Sequence, residues 1–308
     1  MEYAPVIVFV YKRLEQTKRT FESLMNNELA GESELYIYSD GAKNNEEKKD
    51  IEAVRNYIYS PEIEKAFKRV SIVEQEKNCG LANSIIAGVS QIICDKKRVI
   101  VVEDDLQTSP YFLNYMNECL DFYQSNGQIW SISGYTAKLR SLEQYDKTVY
   151  LNYRASTWGW GTWLDRWETV DWDVKDYNRF KYNIKWRMLF CRGGNDMPSM
   201  LKAQMNGKID SWGIRWCYSQ SRKNMLSVAP KVSLVRNNGF DGTGTHSSIE
   251  DNDRFDCREL ETEKKVWTLQ NVELNRKICR ELYQVNSVPM WKRIQDKIQE
   301  IRKRKQQR

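Results

Sequence analysis

The sequence is poor in the side chains that build zinc sites. It has a single histidine, and its seven cysteines are scattered without any Cys-x-x-Cys pair. Because a structural zinc ion needs Cys and His ligands in closely spaced pairs, we do not expect one here. The odd, unpaired set of cysteines fits reduced thiols, which are typical of a cytoplasmic protein.

Long apolar segments are also missing. No run approaches the roughly 20 residues that cross a membrane. Residues 1–5 lack the charged and apolar regions of a signal peptide. We therefore expect a cytoplasmic protein, with any membrane contact made from the inner face as a peripheral protein.

Short apolar runs alternate with segments of helical spacing over the first 105 residues. The runs are residues 5–10, 35–38, 70–73 and 99–103, and the helical segments are residues 14–25, 46–59 and a stretch that ends at residue 93. Strand alternating with helix predicts an α/β fold with a doubly wound, mostly parallel sheet. The chain length and its 41% hydrophobic content favour one compact catalytic unit.

The most informative stretch is the fourth predicted strand, which runs directly into Glu103, Asp104 and Asp105. Three adjacent carboxylates repel one another and are costly to bury unless a cation joins them. Ligands of open α/β sheets bind at the carboxyl ends of strands, where Arg13 and Asp40 also lie. Neither a P-loop nor a dinucleotide-binding glycine pattern is present to explain a nucleotide site in another way. The alternative is a solvated acidic turn that precedes a helix.

Three features of the second half carry candidate chemistry. Trp158 and Trp160 alternate with glycines, which predicts a bent loop whose aromatic walls suit a sugar ring; an aromatic core under the loop is the alternative. Asp210 precedes a helical pattern and is placed to cap that helix. The segment 236–246 contains three glycines and ends at His246, which predicts a mobile lid that can approach phosphates.

Residues 291–308 differ from the rest of the chain in charge. Trp291, Ile294, Ile298 and Ile301 recur at helical spacing, and the segment holds eight basic residues against two acidic ones. A basic amphipathic helix of this kind suits an anionic membrane surface. A solvated tail or a nucleic-acid arm is the alternative, but we predict no nucleic-acid partner.

The order of these motifs resembles the A-type fold of nucleotide-sugar glycosyltransferases over about residues 5–250. Residues 101–106, Val-Val-Glu-Asp-Asp-Leu, and residues 109–112, Ser-Pro-Tyr-Phe, are similar to the Glu-Asp-Asp motif region of the N-acetylglucosaminyltransferase I family and of bacterial enzymes near it. The larger eukaryotic members carry an N-terminal membrane anchor, whereas this sequence begins at the first strand. We therefore expect a bacterial enzyme of surface polysaccharide synthesis.

On the donor side, the resemblance implies that a divalent metal, Mn²⁺ or Mg²⁺, bridges the protein and the diphosphate of a UDP-sugar. It implies contacts to the nucleotide sugar by Arg13, Asp40, Asn83, Glu103 and Asp104. It also implies that Asp105 is the direct metal ligand, with His246 as a second ligand or a diphosphate contact. Hard cations of this type prefer carboxylate oxygens, so the residue types agree with the implied role.

On the acceptor side, the resemblance implies that Asp210 is the catalytic base, which deprotonates the acceptor hydroxyl during in-line attack with inversion. It places Arg154, Trp158, Trp160 and Trp212 in contact with the acceptor substrate. The alternative for Asp210 remains a helix cap.

We therefore predict an inverting, metal-dependent glycosyltransferase with a UDP-sugar donor and a glycan or lipid-linked acceptor. The expected organisation is a donor-binding half (1–135), an acceptor-side half with the base (136–250) and a helical C-terminal extension with the basic tail (251–308). A sugar nucleotidyltransferase is one alternative, but residues 11–14, Tyr-Lys-Arg-Leu, lack the glycine-rich loop it would need. A glycan-binding protein without activity is another, and it leaves the acidic triplet unexplained.

Overall fold

The computed structural model describes residues 2–239, 255, 257 and 259–288. Three predictions fall wholly or partly outside these residues, namely the role of His246, the lid at 236–246 beyond residue 239, and the basic amphipathic helix from Trp291. No helix in the described part of the chain is long and apolar enough to cross a membrane.

Strands and helices alternate along the first half of the chain, as predicted. The strands are β1 (Val6–Val10), β2 (Glu34–Ser39), β3 (Arg69–Glu74), β4 (Arg98–Glu103), β5 (Leu106–Thr108), β6 (Ile129–Ser133), β7 (Val149–Asn152), β8 (Trp160–Trp163), β9 (Leu226–Pro230) and β10 (Val235–Asn237). The helices are α1 (Leu14–Met25), α2 (Lys48–Ile58), α3 (Pro61–Ala66), α4 (Leu81–Lys96), α5 (Phe112–Tyr123), α6 (Leu164–Trp167), α7 (Tyr177–Phe180), α8 (Ile184–Phe190), α9 (Met197–Met205), α10 (Trp212–Arg222) and α11 (Arg276–Val285). Short 3-10 turns lie at Ala30–Glu32, Arg140–Leu142 and Cys191–Gly193.

One eight-stranded sheet runs through the molecule in the order β3-β2-β1-β4-β8-β6-β9-β7. Parallel pairs join β1 to β2 and β4, β2 to β3, and β6 to β9. Antiparallel pairs join β8 to β4 and β6, and β7 to β9. All strands of this sheet except β8 and β7 therefore run the same way. The predicted α/β fold with a mostly parallel sheet is confirmed.

Parallel pairing brings the carboxyl ends of β1, β2 and β4 to the same edge of the sheet. Val10 lies beside Ser39, and Phe9 lies beside Glu103. The polar segments that follow these three strands are therefore neighbours, which is the arrangement that open α/β sheets use for ligands.

Helices cover both faces of the sheet and create two cores. On β1, Val6, Val8 and Val10 pack into the core with α1 and α5, whereas Ile7 and Phe9 pack into the core with α4 and α10. Side chains alternate across a strand, so a strand covered on both faces must be apolar at every position. This explains the unbroken apolar runs of β1 and β4.

The predicted tryptophan-walled loop is partly a strand. Trp160 belongs to β8 with 0% exposure, and Trp212 begins α10 with 4% exposure. Both belong to a cluster of indole rings with centroid separations of 4.3 to 6.4 Å, made by Trp130, Trp160, Trp167, Trp172, Trp212 and Trp216. A Cβ on Gly161 would lie 2.9 Å from the Val99 carbonyl oxygen, so glycine lets β8 pair closely with β4. The predicted substrate contacts of Trp160 and Trp212 are therefore wrong, because both rings are in the core.

The chain before the last helix also differs from the prediction. The sequence predicts helix over residues 260–282, but residues 260–275 are not helical, and they cross the first core with Trp267 and Leu269 buried. The Tyr123 hydroxyl donates to the Leu269 carbonyl oxygen at 2.7 Å, and Trp267 packs edge-on against Tyr115. These contacts hold the segment extended, and within residues 259–288 the helical part is α11.

Candidate active site

Arg13 joins the ends of β1 and β4. Its Nη2 donates to Asp104 Oδ1 at 2.5 Å and to Asp105 Oδ2 at 2.8 Å. The Tyr11 backbone N–H donates to the other Asp104 oxygen at 3.3 Å. Asp104 is buried, so the alternative of a solvated acidic turn is wrong.

Negative charge exceeds positive charge in this corner. Burial raises the pKa of Glu103, and the charges of Asp105 and Asp104 raise it further. Burial also raises the pKa of Asp104, although Arg13 opposes the change. Burial disfavours the charge on Arg13, but the two aspartates outweigh it and raise the pKa of the guanidinium. One cation is therefore shared by three carboxylates, and a second cation would relieve their repulsion.

Asp105 also contacts the end of β10, which pairs with β5. The Asn238 N–H donates to the Asp105 carbonyl oxygen at 2.8 Å, and the Gly239 N–H donates to Asn237 Oδ1 at 2.6 Å. A Cβ on Gly239 would lie 2.4 Å from Asp105 Oδ2 and 3.0 Å from Asn237 Oδ1. Two side-chain oxygens thus converge beside Gly239, where only a glycine fits.

The residues in this corner fit a divalent cation whose coordination would be completed by a bound ligand. Among the described residues no group of three His, Cys, Asp or Glu side chains could hold a metal ion by itself. Mg²⁺ is usually held by one or two carboxylates together with substrate phosphates and water, and Asp105 with Asn237 offers such a donor set. Arg13 Nη1 is buried with no hydrogen-bond partner among the described atoms, which leaves a fixed donor for an anion at the same place.

Asp40, at the end of β2, holds a turn that leads into α4. One carboxylate oxygen accepts from the N–H groups of Gly41 (2.9 Å) and Cys79 (2.8 Å). The other accepts from the Gly80 N–H and from Asn78 Nδ2, both at 3.0 Å. A carboxylate has about four acceptor positions. The predicted contact between Asp40 and the nucleotide base would therefore have to displace one of these donors.

Asp210 faces this turn from the other side. Its Oδ2 lies 3.9 Å from the position of a Cβ on Gly80. The cap of α10 is Ser211, whose hydroxyl accepts from the Ile214 N–H at 3.3 Å, so the alternative of Asp210 as the cap is wrong. The Asp210 side chain is 59% exposed, and its Oδ1 accepts from Arg215 Nη2 at 3.3 Å. An exposed, oriented carboxylate at this position can take a proton from a bound hydroxyl.

A cavity of about 260 Å³ lies beside the start of α10. Its walls come from the loop of residues 153–158, the ends of β6 and β7, the first turns of α10 and one face of α11. Ser211 and Gly213 line it next to Asp210, and Trp158 lines it from the loop. Arg154 also lines it, with its charge offset by Asp196 at 2.8 Å.

The predicted site residues lie in three places. Arg13, Glu103, Asp104 and Asp105 lie together in the corner at the ends of β1 and β4. The turn before α4 is bordered by Asp40, Asn83 and Asp210, Asn83 being exposed in the first turn of that helix. The cavity contains Arg154 and Trp158 but neither of the two tryptophans of the core.

Several residues of the site were not predicted. Asn78 and Asn237 act through their amide groups, which have no recognisable sequence pattern. Tyr135 and Arg192 reach the cavity only through the tertiary fold. The contribution of α11 had a readable signal, because its apolar residues recur at helical spacing.

The family model described as glycosyl transferase family 2 matches residues 6–194. No curated protein gives a significant match. The chain is similar in structure to the mannosyltransferase PcManGT from Pyrobaculum calidifontis, solved with GDP-Man and Mn²⁺, at 11% identity and a TM-score of 0.40, over 72% of this chain and 70% of that one. It is also similar to residues 1–349 of S. aureus TarS, at 9% identity and a TM-score of 0.43, over 77% of this chain and 61% of that one. A longer TarS structure matches at 15% identity and a TM-score of 0.34, over 51% of this chain and 26% of that one.

Proposed function

This chain belongs to glycosyl transferase family 2 and is a glycosyltransferase, and from this premise we propose its donor, its mechanism and its acceptor side. It transfers a sugar from a UDP-sugar to a hydroxyl of a glycan or a lipid-linked acceptor. The reaction inverts the anomeric centre and uses Mn²⁺ or Mg²⁺. The resemblance of residues 101–112 to the N-acetylglucosaminyltransferase I family supports this finer assignment and a role in bacterial surface polysaccharide synthesis.

The position of Asp210 carries the proposal. Its carboxylate is exposed, and its Oδ2 would lie 3.9 Å from a Cβ on Gly80. The Gly80 N–H in turn donates to Asp40, which follows β2 at the carboxyl edge of the sheet. A donor bound at that edge would present its anomeric carbon towards this turn and towards the base.

In the proposed reaction the acceptor hydroxyl gives its proton to Asp210. The hydroxyl oxygen forms a bond to the anomeric carbon, and the bond between that carbon and the diphosphate breaks, which releases UDP. Attack from the face opposite the leaving group inverts the centre. Arg215, whose Nη2 donates to Asp210 Oδ1 at 3.3 Å, orients the carboxylate.

The corner formed by Arg13, Asp105 and Asn237 would hold the diphosphate and the cation. A divalent cation bound there offsets the negative charge that grows on the departing diphosphate. Nη1 of Arg13, buried with no hydrogen-bond partner among the described atoms, would donate to a phosphate oxygen. These assignments explain why three carboxylates and one arginine share a small volume.

The cavity beside α10 is proposed as the acceptor side. Trp158 packs edge-on against Tyr135 with centroids 4.5 Å apart, and both rings line the cavity. Aromatic walls with a few polar groups suit the apolar face of a sugar ring. The guanidinium of Arg154 is fixed by Asp196, so it would orient an acceptor by hydrogen bonding rather than as a free charge.

The experiment measures UDP release from a panel of UDP-sugars with and without Mn²⁺. Asp210→Asn is expected to lower turnover by about 10²-fold or more and to leave the affinity for UDP and Mn²⁺, measured by calorimetry, nearly unchanged. Asp173→Asn is the matched control, because Asp173 is also an exposed aspartate whose charge acts on Arg215. It should keep full activity.

Two results would contradict the proposal. Turnover of Asp210→Asn at the rate of the parent would remove Asp210 as the base. Formation of UTP and a sugar 1-phosphate from a UDP-sugar when pyrophosphate is added, with no release of UDP, would indicate a nucleotidyltransferase.

A further inference from the structure

A surface next to the cavity beside α10 carries exposed apolar side chains. Tyr182, Ile184 and Met188 are 80%, 74% and 68% exposed. Ile184, Arg187 and Met188 stand at i, i+3 and i+4 of α8 and therefore share one helix face. Ile184 and Met188 line a shallow depression together with Tyr283 of α11. We call these side chains and their basic neighbours the α8 surface.

The α8 surface carries positive charge with no acidic residue in its segment. Between Asp176 and Asp196 the sequence has five basic residues and no Asp or Glu, and the basic residues are Arg179, Lys181, Lys185, Arg187 and Arg192. None of the five forms a salt bridge with a carboxylate in the part of the chain that the structure describes. Like charges this close repel one another, so they favour an anionic partner.

The shape of this surface favours a lipid bilayer over another macromolecule. Its three large apolar side chains are each more than two-thirds exposed, and the depression that Ile184 and Met188 line is shallow, whereas a protein-binding site usually offers a deep pocket for a buried anchor. Protruding apolar groups flanked by Lys and Arg are the pattern of elements that lie in a membrane interface, where the apolar part enters the acyl boundary and the cations meet anionic headgroups. We propose that the α8 surface binds the face of an anionic lipid bilayer.

The end of the described chain lies beside the segment that follows α8. The Val288 N–H donates to Asn195 Oδ1 at 2.8 Å, and Asn195 Nδ2 donates to the Val288 carbonyl oxygen at 3.2 Å. The described chain therefore ends beside Asn195, three residues after Arg192. In sequence, the residues from 291 to 308 carry eight basic and two acidic side chains.

The cavity adjoins this surface as well. Arg192 lines both the cavity beside α10 and the depression with Ile184 and Met188. If the cavity is the acceptor side, which rests on the proposed function, the acceptor would enter from the bilayer, and a lipid-linked acceptor is favoured. Binding of the bilayer itself does not depend on the enzymatic activity.

The test is co-sedimentation of the full chain with vesicles of phosphatidylcholine alone and of phosphatidylcholine with an equal part of phosphatidylglycerol. We expect binding only to the anionic vesicles, weakened by salt. Lys185→Gln combined with Arg187→Gln should lower the partition coefficient about 30-fold, since each basic residue near such a surface contributes about fivefold. Ile184→Ser combined with Met188→Ser should weaken binding even at low salt.

Matched controls separate this surface from general effects. Lys48→Gln combined with Lys49→Gln removes two exposed cations from α2, and Val266→Ser removes an apolar side chain that is 91% exposed. Both controls should bind as the parent does. UDP release should be unchanged in every variant, which shows that the fold is intact.

Two results would overturn the proposal. The first is that both α8 variants bind vesicles as the parent does, whereas Arg302→Gln combined with Lys303→Gln abolishes vesicle binding. This result would assign the membrane contact to the tail alone. The second is equal binding to neutral and anionic vesicles, or to neither. Loss of binding in the α8 variants with the controls unaffected supports it.

Discussion

Replacing Arg13 by alanine should lower the free energy of unfolding more than the loss of a surface ion pair would. The side chains of Arg13, Asp104 and Asp105 are each less than one-fifth exposed. Removing one partner of a buried ion pair leaves an uncompensated charge and costs about 3–5 kcal/mol of unfolding free energy. Because the corner is not wholly closed to water, we expect a loss near the lower end, about 3 kcal/mol.

The loss should grow as the pH rises. Burial and mutual repulsion already raise the pKa values of Glu103 and Asp104 in the folded parent. A carboxyl group with a raised folded-state pKa contributes stability that is fully present below its unfolded pKa of roughly 4 and is lost as the pH rises through the folded value. Without Arg13 these pKa values rise further, so the variant loses more stability than the parent between weakly acidic and weakly alkaline pH.

Urea unfolding of the parent and of Arg13→Ala at pH 5 and pH 8 measures both effects. Lys18→Ala is the control, because Lys18 pairs with Glu15 on the surface of α1 and should contribute about 1 kcal/mol or less. The reasoning fails if Arg13→Ala is no more destabilising than Lys18→Ala, or if the difference from the parent is the same at both pH values. Partial recovery of Arg13→Ala by Mn²⁺ would show that a metal cation can replace the guanidinium.

Two further predictions address the site and the thiols. Gly239→Ala should push the Asp105 carboxylate aside, because the new Cβ would lie 2.4 Å from its Oδ2. The variant should bind UDP in the presence of Mn²⁺ about tenfold more weakly or worse, with an unchanged circular dichroism spectrum. Parent-like affinity would contradict this prediction. Alkylation at pH 8 followed by peptide mass spectrometry should label the exposed Cys79 and Cys94 quickly. Cys217 should be labelled only after unfolding, because it is buried and burial raises the pKa of its thiol to about 11. Equal labelling rates for the three thiols would contradict the buried position of Cys217.

The donor half of the fold could be predicted because its signals are local. An apolar run such as that of β4 identifies a strand buried on both faces, and parallel pairing then forces the residues after β1, β2 and β4 to one edge. The contact between Arg13 and the acidic triplet follows from that topology. Its exact partners do not, since they depend on side-chain rotamers.

The errors lie where long-range contacts override local patterns. The glycines that flank Trp160 predict a pocket, but Gly161 lets β8 pair closely with β4, and Gly159 packs against Val235 and Phe112. An aspartate before a helix often caps it, which makes Asp210 a candidate cap of α10. In the structure the cap is Ser211, one residue later. A sequence pattern predicts where a helix begins to within about a residue, but a shift of one residue changes which side chain caps it.

Asp40 shows how the two halves of the site are coupled. Its carboxylate accepts from the backbone N–H groups of Cys79 and Gly80. A Cβ on Gly80, whose φ is +79°, would lie 3.9 Å from Asp210 Oδ2, so this turn borders the proposed base. A positive φ at this position is accessible to glycine with little strain, so the shape of the turn depends on that residue type. The separation between the donor edge and the proposed base is therefore set by one turn held by one buried carboxylate. Loosening that turn should misalign donor and base together, whereas a change at Asp210 alone leaves the donor edge intact.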